Sequence, residues 1–377
     1  MKKLFILLCL ICLPVQAFAA EKLSRDVKLT REQFFAETKQ IEETPLGNPS
    51  LAFKIKIPKN WVKLDTGNET VKGEPSREIL GELSSYLGPA NLDLRSSFRV
   101  RANAMNYDVT AGDWFQNYIR TNNYTLQGID VSSDRRVQAH YVTIENGRQY
   151  VVRAVAQISG QTMVLAEYIV PIEMWADERD IAIWSMASFY LVSPDPTPVE
   201  QRITHSFVDI AKFEFPASWI LNAPMVTTTD RMSASLINLK GGIPPKDIRR
   251  NAENLLLMDG RIEVLTASKS SGASLPGEVD NLKKQLLERG LVIGELIGPV
   301  NDLKRHPSLS FGKTEAYKIN NKEGQLADYE QWIGLFESAS RIYVVQMLTV
   351  GRQDNFLAWA RNFQAFKTIV STISPAI

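Results

Sequence analysis

Apolar and charged residues alternate along "FKIKIP", Phe53 to Pro58, so Phe53, Ile55 and Ile57 share one face of a strand. Pro58 cannot donate to a ladder and ends the run, and Trp61 follows it. The phrase returns as "AKFEFP", Ala211 to Pro216, with Phe213 and Phe215 on the apolar face and Trp219 after the proline. The charges do not repeat: Lys54, Lys56 and Lys59 give way to Lys212, Glu214 and Ala217. A phrase that keeps its apolar, proline and tryptophan positions but exchanges its charges marks the start of a repeated domain, not a site.

The same succession of patterns follows each phrase. "REILGELSSYLG" (Arg77 to Gly88) predicts a strand matched by "RMSASLINLKGG" (Arg231 to Gly242), and "SSFRVRANAM" one matched by "GRIEVLTASK". A helix comes next. In "TAGDWFQNYIRTNN" it gathers Trp114, Phe115, Tyr118 and Ile119 on one side; in "LPGEVDNLKKQLLERG" it gathers Val279, Leu282, Leu286 and Leu287 and stops at Gly290. A strand meander follows. Its turns fall at Asn146-Gly147 and Ser159-Gly160 in the first half, and at "NNKEG" and "SAS" in the second. Each half closes on a helix. "NFLAWARNFQAFKTIVSTI" repeats Phe356, Trp359, Phe363, Phe366, Ile369 and Ile373 at helical spacing. "WADERDIAIWSMASFYL" does so less regularly through Ile181, Trp184 and Ser188. This order predicts an α+β fold: two tandem domains, each an antiparallel sheet packed against helices.

Alternate prolines in "SPDPTP", Ser193 to Pro198, deny both helix and ladder bonds and predict an extended linker. Ahead of the first copy, Thr30 and Gln33 form a capping-box pattern. It predicts a short helix with Phe34, Phe35 and Ile41 on its apolar stripe, packed on the first domain; a partner-binding arm is the alternative. The start of the chain has Lys2 and Lys3, an apolar core from Leu4 to Val15, and Ala17-Phe18-Ala19. That is the order of a secretory signal peptide, cleaved near Ala19 or Ala20. The expected plan is a signal peptide at 1–20, an arm at 21–50, a first domain at 51–192, a linker at 193–204 and a second domain at 205–377.

Composition narrows the compartment more than the activity. Both cysteines, Cys9 and Cys12, lie in the signal segment, so the exported chain has no disulfide, thiolate metal site or cysteine nucleophile. A periplasmic protein without integral membrane spans is expected. Taking Lys2 and Lys3 from the 43 basic residues leaves 41 against 42 acidic ones, which argues against a nucleic-acid partner.

The phrase F-x-I-x-I-P-x-x-W at the head of an antiparallel αβ domain, with "FKTIVSTI" in its closing helix, resembles the PsbP-like superfamily. That group includes the extrinsic photosystem II protein, a Ran-binding nuclear-import factor and bacterial DcrB-type envelope proteins. The resemblance covers about 51–192 and 205–375, as two copies. The second departs from the pattern at Ala211 and in the extra segment "IPPKDIRRNAENLLL". It implies proteins that bind, stabilise or assemble other proteins, and it brings no catalytic motif.

Candidate chemistry is sparse. His140, His205 and His306 lack the spacing of a zinc site. "SFGKT", Ser310 to Thr314, has Pro307 where a phosphate loop needs glycine. "SKSSGASLPG" is a loop entering a helix, where an anion could sit. Asp177, Glu178 and Asp180 of "DERD" complement a helix start more simply than they make an acid–base pair. The basic run Lys246 to Asn251 reads as a solvated face. No catalytic, cofactor-binding or metal-ligating residue is therefore assigned. The expectation is a periplasmic, non-enzymatic binding or assembly protein with an envelope protein partner. A carrier of a small apolar ligand or lipid is the alternative, and a hydrolase ranks third.

Overall fold

The computed structural model describes residues 21–23, 26–65, 81–223, 228–240, 258–300, 303–321 and 329–376. The signal segment, the extra segment of the second copy with its basic run, and most of "NNKEG" lie outside the described residues. No helix among the described residues is long and apolar enough to cross a membrane.

The fold is α+β, and the two halves repeat strand for strand. In the first, the main-sheet strands are β4 (Val62–Lys63), β5 (Gly81–Leu87), β6 (Ser97–Ala104), β7 (Thr125–Ser133), β8 (Arg136–Glu145), β9 (Arg148–Ser159) and β10 (Thr162–Pro171). They run antiparallel in the order β7-β8-β9-β10-β6-β5-β4, and β1 (Glu21–Lys22) adds in parallel at the β7 edge. The second half has β14 (Ile220–Asn222), β15 (Arg231–Leu239), β16 (Met258–Ser268), β17 (Leu291–Pro299), β18 (Phe311–Asn321), β19 (Tyr329–Glu337) and β20 (Arg341–Val350). Their order, β17-β18-β19-β20-β16-β15-β14, is the same path.

The repeated phrase sits outside both main sheets. β3 (Phe53–Pro58) pairs with β2 (Thr38–Glu43) and β11 (Tyr190–Leu191). β13 (Ala211–Pro216) pairs with β12 (Arg202–Phe207) and β21 (Ser374–Pro375). Each small sheet lies across a helix from its main sheet. α3 (Trp175–Ser188) fills the first gap, with Phe53, Ile55 and Ile57 packing toward Phe98, Val164 and Tyr168. α5 (Phe356–Thr372) fills the second, against β13, β16 and β20. The far faces carry α2 (Ala111–Thr121) and α4 (Leu275–Glu288). Strand alternation divides the cores: Ala154 and Ala156 look toward α2, while Val155 between them joins the α3 core.

Three local expectations change. The predicted arm helix stops early: α1 (Arg31–Glu37) carries the full Thr30–Gln33 capping box, but Thr38 to Glu43, with Ile41, is strand β2. Pairing along all six residues with β3 gives those backbone groups a ladder that outweighs helix continuation. In α3 the buried residues are Ala182, Ile183, Ser185 and Met186, beside the predicted Ile181, Trp184 and Ser188. In α4, Leu287 is 61% exposed, and the buried position goes to Glu278, paired with Arg231 at 2.6 Å.

Other details follow the pattern. Asn146 and Gly147 both take positive φ, 52° and 78°, as a tight hairpin turn requires. The proline stretch has no helix or strand from Ser193 to Pro198, yet Arg135 grips it. Its guanidinium donates to the carbonyls of Asp195 at 2.8 Å and Thr197 at 3.0 Å.

Candidate functional site: the open face of the second copy

The two copies use the same face differently. Beneath α2, Glu167 of β10 is fully buried. It accepts from Arg99 Nε at 2.9 Å, Arg101 at 2.6 Å and the Tyr118 hydroxyl at 3.2 Å, and also from the Tyr141 hydroxyl. Burial pushes its carboxyl pKa up, but Arg101 and Arg99 outweigh burial and hold it below the ordinary value. Burial and that same carboxylate push the Tyr118 and Tyr141 hydroxyls up. The cluster is a closed internal lock.

α2 is covered in turn by α5 of the other half. Arg120 lies 4.6 Å over the Phe356 ring, and Arg361 lies 4.8 Å over Tyr107. Lys367 pairs with Asp134 at 3.2 Å, and Arg352 reaches Gln116 at 3.4 Å. Trp114, Phe115, Phe356 and Trp359 belong to one apolar core that spans both halves.

In the second copy the corresponding ladder is rewritten. Glu263 takes the place of Arg99 in the matched strands. Gln346 faces it across β16–β20, as Glu167 faces Arg99 across β6–β10. Gln346 Nε2 donates to Glu263. Arg261 and Arg289 pair with the same carboxylate at 2.7 and 2.8 Å. Here the charges are not sealed. A groove of about 510 Å³ opens beside α4, with Arg231, Arg261, Glu263, Glu278, Arg289 and Gln346 in its wall. α4 rests on its own sheet through Leu282 and Leu286, and Asn281, Lys283, Lys284, Gln285 and Leu287 are exposed. By contrast, α2 buries Trp114, Phe115, Tyr118 and Ile119.

Chemically, the groove offers paired guanidinium and carboxylate groups that can exchange partners with a charged or polar surface. Among the described residues no group of three His, Cys, Asp or Glu could hold a metal. The residues singled out by sequence do not converge on it. His140 on β8 stacks on Trp175 at 5.4 Å, and burial, then Arg153 and Arg179, push its pKa down to about 4. His205 on β12 packs against Phe207 and Phe213, and burial lowers its pKa. His306 shares a 2.7 Å hydrogen bond with Ser308 in a loop. Phe311 to Thr314 of "SFGKT" are extended strand. Ser274 caps α4 through the Gly277 amide at 3.3 Å. Asp180 accepts the amides of Lys28 and Leu29 at 2.6 and 3.0 Å, so it ties down the arm. Burial raises the Glu178 pKa.

Sequence reading missed Glu167, Glu263 and Gln346. The available signal was charge at alternate positions of a strand, Arg99 and Arg101, which puts two guanidinium groups on one sheet face.

No protein-family model matches the chain, and no curated protein matches it. Solved structures do. Cyanobacterial PsbP from Synechocystis is 12% identical and covers 41% of this chain and 93% of its own, with a TM-score of 0.27. LpqN, involved in cell envelope biogenesis of Mycobacterium tuberculosis, is 16% identical and covers 42% and 95%, with a TM-score of 0.26. The immunity protein TplEi of T6SS from Pseudomonas aeruginosa is 13% identical and covers 89% and 97%, with a TM-score of 0.21. The first two match about the length of one copy, and the third matches most of the chain. At TM-scores this low the likeness carries no functional argument.

Proposed function

We propose that this chain is a periplasmic, non-enzymatic binding or assembly protein that docks an envelope protein on the open face of its second copy. On this reading the segment 1–20 directs export, and 51–192 and 205–377 are two domains held by the 193–204 linker. One observation supports it above others: the sheet face that α2 seals over Glu167 in the first copy is open beside α4 in the second, with a charged groove of about 510 Å³. A face with exchangeable ion pairs and an exposed leucine suits a protein surface better than a small apolar molecule. The carrier alternative loses its natural chamber. The gap between small sheet, α3 and main sheet is filled by Phe53, Phe98, Tyr168 and Phe189.

Site-specific photo-crosslinking in the native envelope tests the reading. A cross-linker at Gln285, on α4, is expected to give one discrete protein adduct that mass spectrometry identifies. The same group at Gln116, on α2, is expected to give none. No adduct at Gln285, with the protein recovered alone at native abundance, overturns the proposal.

A further inference from the structure

A second, separate surface has the chemistry of a small-ligand site. A groove of about 410 Å³ opens where the arm meets the first half. Its apolar wall is made by Phe34, Phe35, Ile55, Trp184, Ala187 and Tyr190. The wall is built, not incidental. Phe34 is fully buried and stacks on Trp184 at 5.8 Å, and Trp184 Nε1 donates to the Leu29 carbonyl at 3.0 Å. Asp180 fixes the adjoining arm backbone. The volume lies in the range of small-molecule pockets, about 300–1,000 Å³.

The rim is one-signed. Arg31, Lys54 and Lys56 all border the groove. Lys54 is paired with Glu42 at 2.9 Å. Arg31 and Lys56 instead lie over the Phe35 ring, at 5.1 and 4.8 Å, and among the described residues neither joins an ion pair. Phe35 itself stays 43% exposed. Two cations thus stand at one wall of an apolar groove, and among the described residues a ring face is the partner of both. A carboxylate brought there gains charge-assisted hydrogen bonds while its hydrocarbon covers the aromatic wall. A neutral chain leaves the cations unpaired, and a cationic one is repelled.

We infer that this arm groove binds an amphiphilic carboxylate, a medium-length alkyl or aryl acid, with Arg31 and Lys56 on the carboxylate and Phe35, Trp184 and Tyr190 on the hydrocarbon, backed by the buried Phe34. This ligand class goes beyond the protein docking proposed for α4 and uses none of its residues, so either can fail without the other.

Trp184 provides the readout. Titrating the full-length exported protein with decanoate below its micelle concentration should change tryptophan fluorescence saturably. Trp184→Phe should abolish that change while calorimetry still detects binding. The Arg31→Gln, Lys56→Gln double variant should weaken decanoate at least about tenfold and leave the melting temperature nearly unchanged, since Arg31 is exposed, Lys56 is partly exposed, and neither joins an ion pair among the described residues. Decyltrimethylammonium should not bind. Equal binding of decanoate, decanol and decyltrimethylammonium overturns the assignment in favour of a plain apolar patch. Saturable binding of a peptide with a free apolar C-terminus that excludes decanoate overturns it in favour of a polypeptide ligand. Absence of decanoate binding by calorimetry overturns it outright.

Discussion

Glu167 shows how much one residue can carry in this sheet. Its carboxylate is removed from water and held by Arg99, Arg101, Tyr118 and Tyr141. A buried ion pair adds little over an apolar substitute, but removing one partner strands the rest. Glu167→Gln leaves Arg101 without its counter-charge and Arg99 with only the 3.9 Å contact to Glu145, and a loss of about 3 kcal/mol is expected. Urea unfolding monitored by tryptophan fluorescence measures it. The pH dependence has a definite sign. Arg101 and Arg99 hold the folded carboxyl below its unfolded value of about 4.3, so the unfolded chain binds the proton first as pH falls. The stability from Glu167 is complete above that value and is lost as pH drops through the lower folded value. The wild type should therefore lose stability more steeply than Glu167→Gln below about pH 4. Equal acid slopes would remove Glu167 from the account. In the second copy no such lock forms, because the Glu263 carboxylate is itself partly exposed, as is its partner Arg289, whereas Glu167 is fully buried.

At the scale of elements, α5 owes its fit to a polar residue that its apolar period conceals. Asn362 is fully buried. It donates to the Asp259 carbonyl at 2.8 Å and to Thr349 Oγ1 at 2.9 Å, and accepts from Asn238 Nδ2 at 2.8 Å. Gly260 on β16 leaves room for it: a Cβ there would stand 2.4 Å from Asn362 Nδ2. Gly260→Ala should cost about 1–3 kcal/mol by displacing that amide from its partners. With Asn362→Ala as background the clash is gone, so the double variant should lose less than the sum of the singles. Additive losses in a denaturation cycle would show that the close approach is not what Gly260 serves. The sequence revealed the elements well where one period prevailed: Trp114, Phe115, Tyr118 and Ile119 all lie on the buried side of α2. It failed where two partners compete for one segment. Thr38 to Glu43 continues a helical pattern but is taken by β3. Leu287 fits the stripe of α4, yet Glu278 is buried because Arg231 neutralises it. Neither partner is visible in a local window. The candidate groove was not legible for the same reason, since its charges come from β15, β16 and the α4 segment, with Gln346 added by β20.

At the scale of the molecule, the decisive fact is that the repeat is not two beads on a string. Proline spacing predicts an extended linker; the stretch forms no helix or strand, Arg135 pins it, and α2 packs on α5. One apolar core runs through Trp114 and Phe115 into Phe356 and Trp359. Helix period alone could not mark the face of α5 that meets the other copy, because that face mixes Phe356 and Trp359 with Arg361 and Lys367. Surface shared in this way couples unfolding: opening one copy exposes the seam of the other. The wild type should therefore give a single calorimetric transition. Phe356, only 5% exposed, lies under Arg120 at 4.6 Å and Arg352 at 5.5 Å, at the edge of the seam. Phe356→Lys places an ammonium beneath those two guanidinium groups and against the apolar residues of α2, where a buried charge facing like charges is strongly unfavourable. It should split the transition in two, with the Glu167 lock keeping the first copy folded independently of the second. A wild type that already melts in two steps, or a variant that still melts in one, would mean the copies are coupled through something other than this seam.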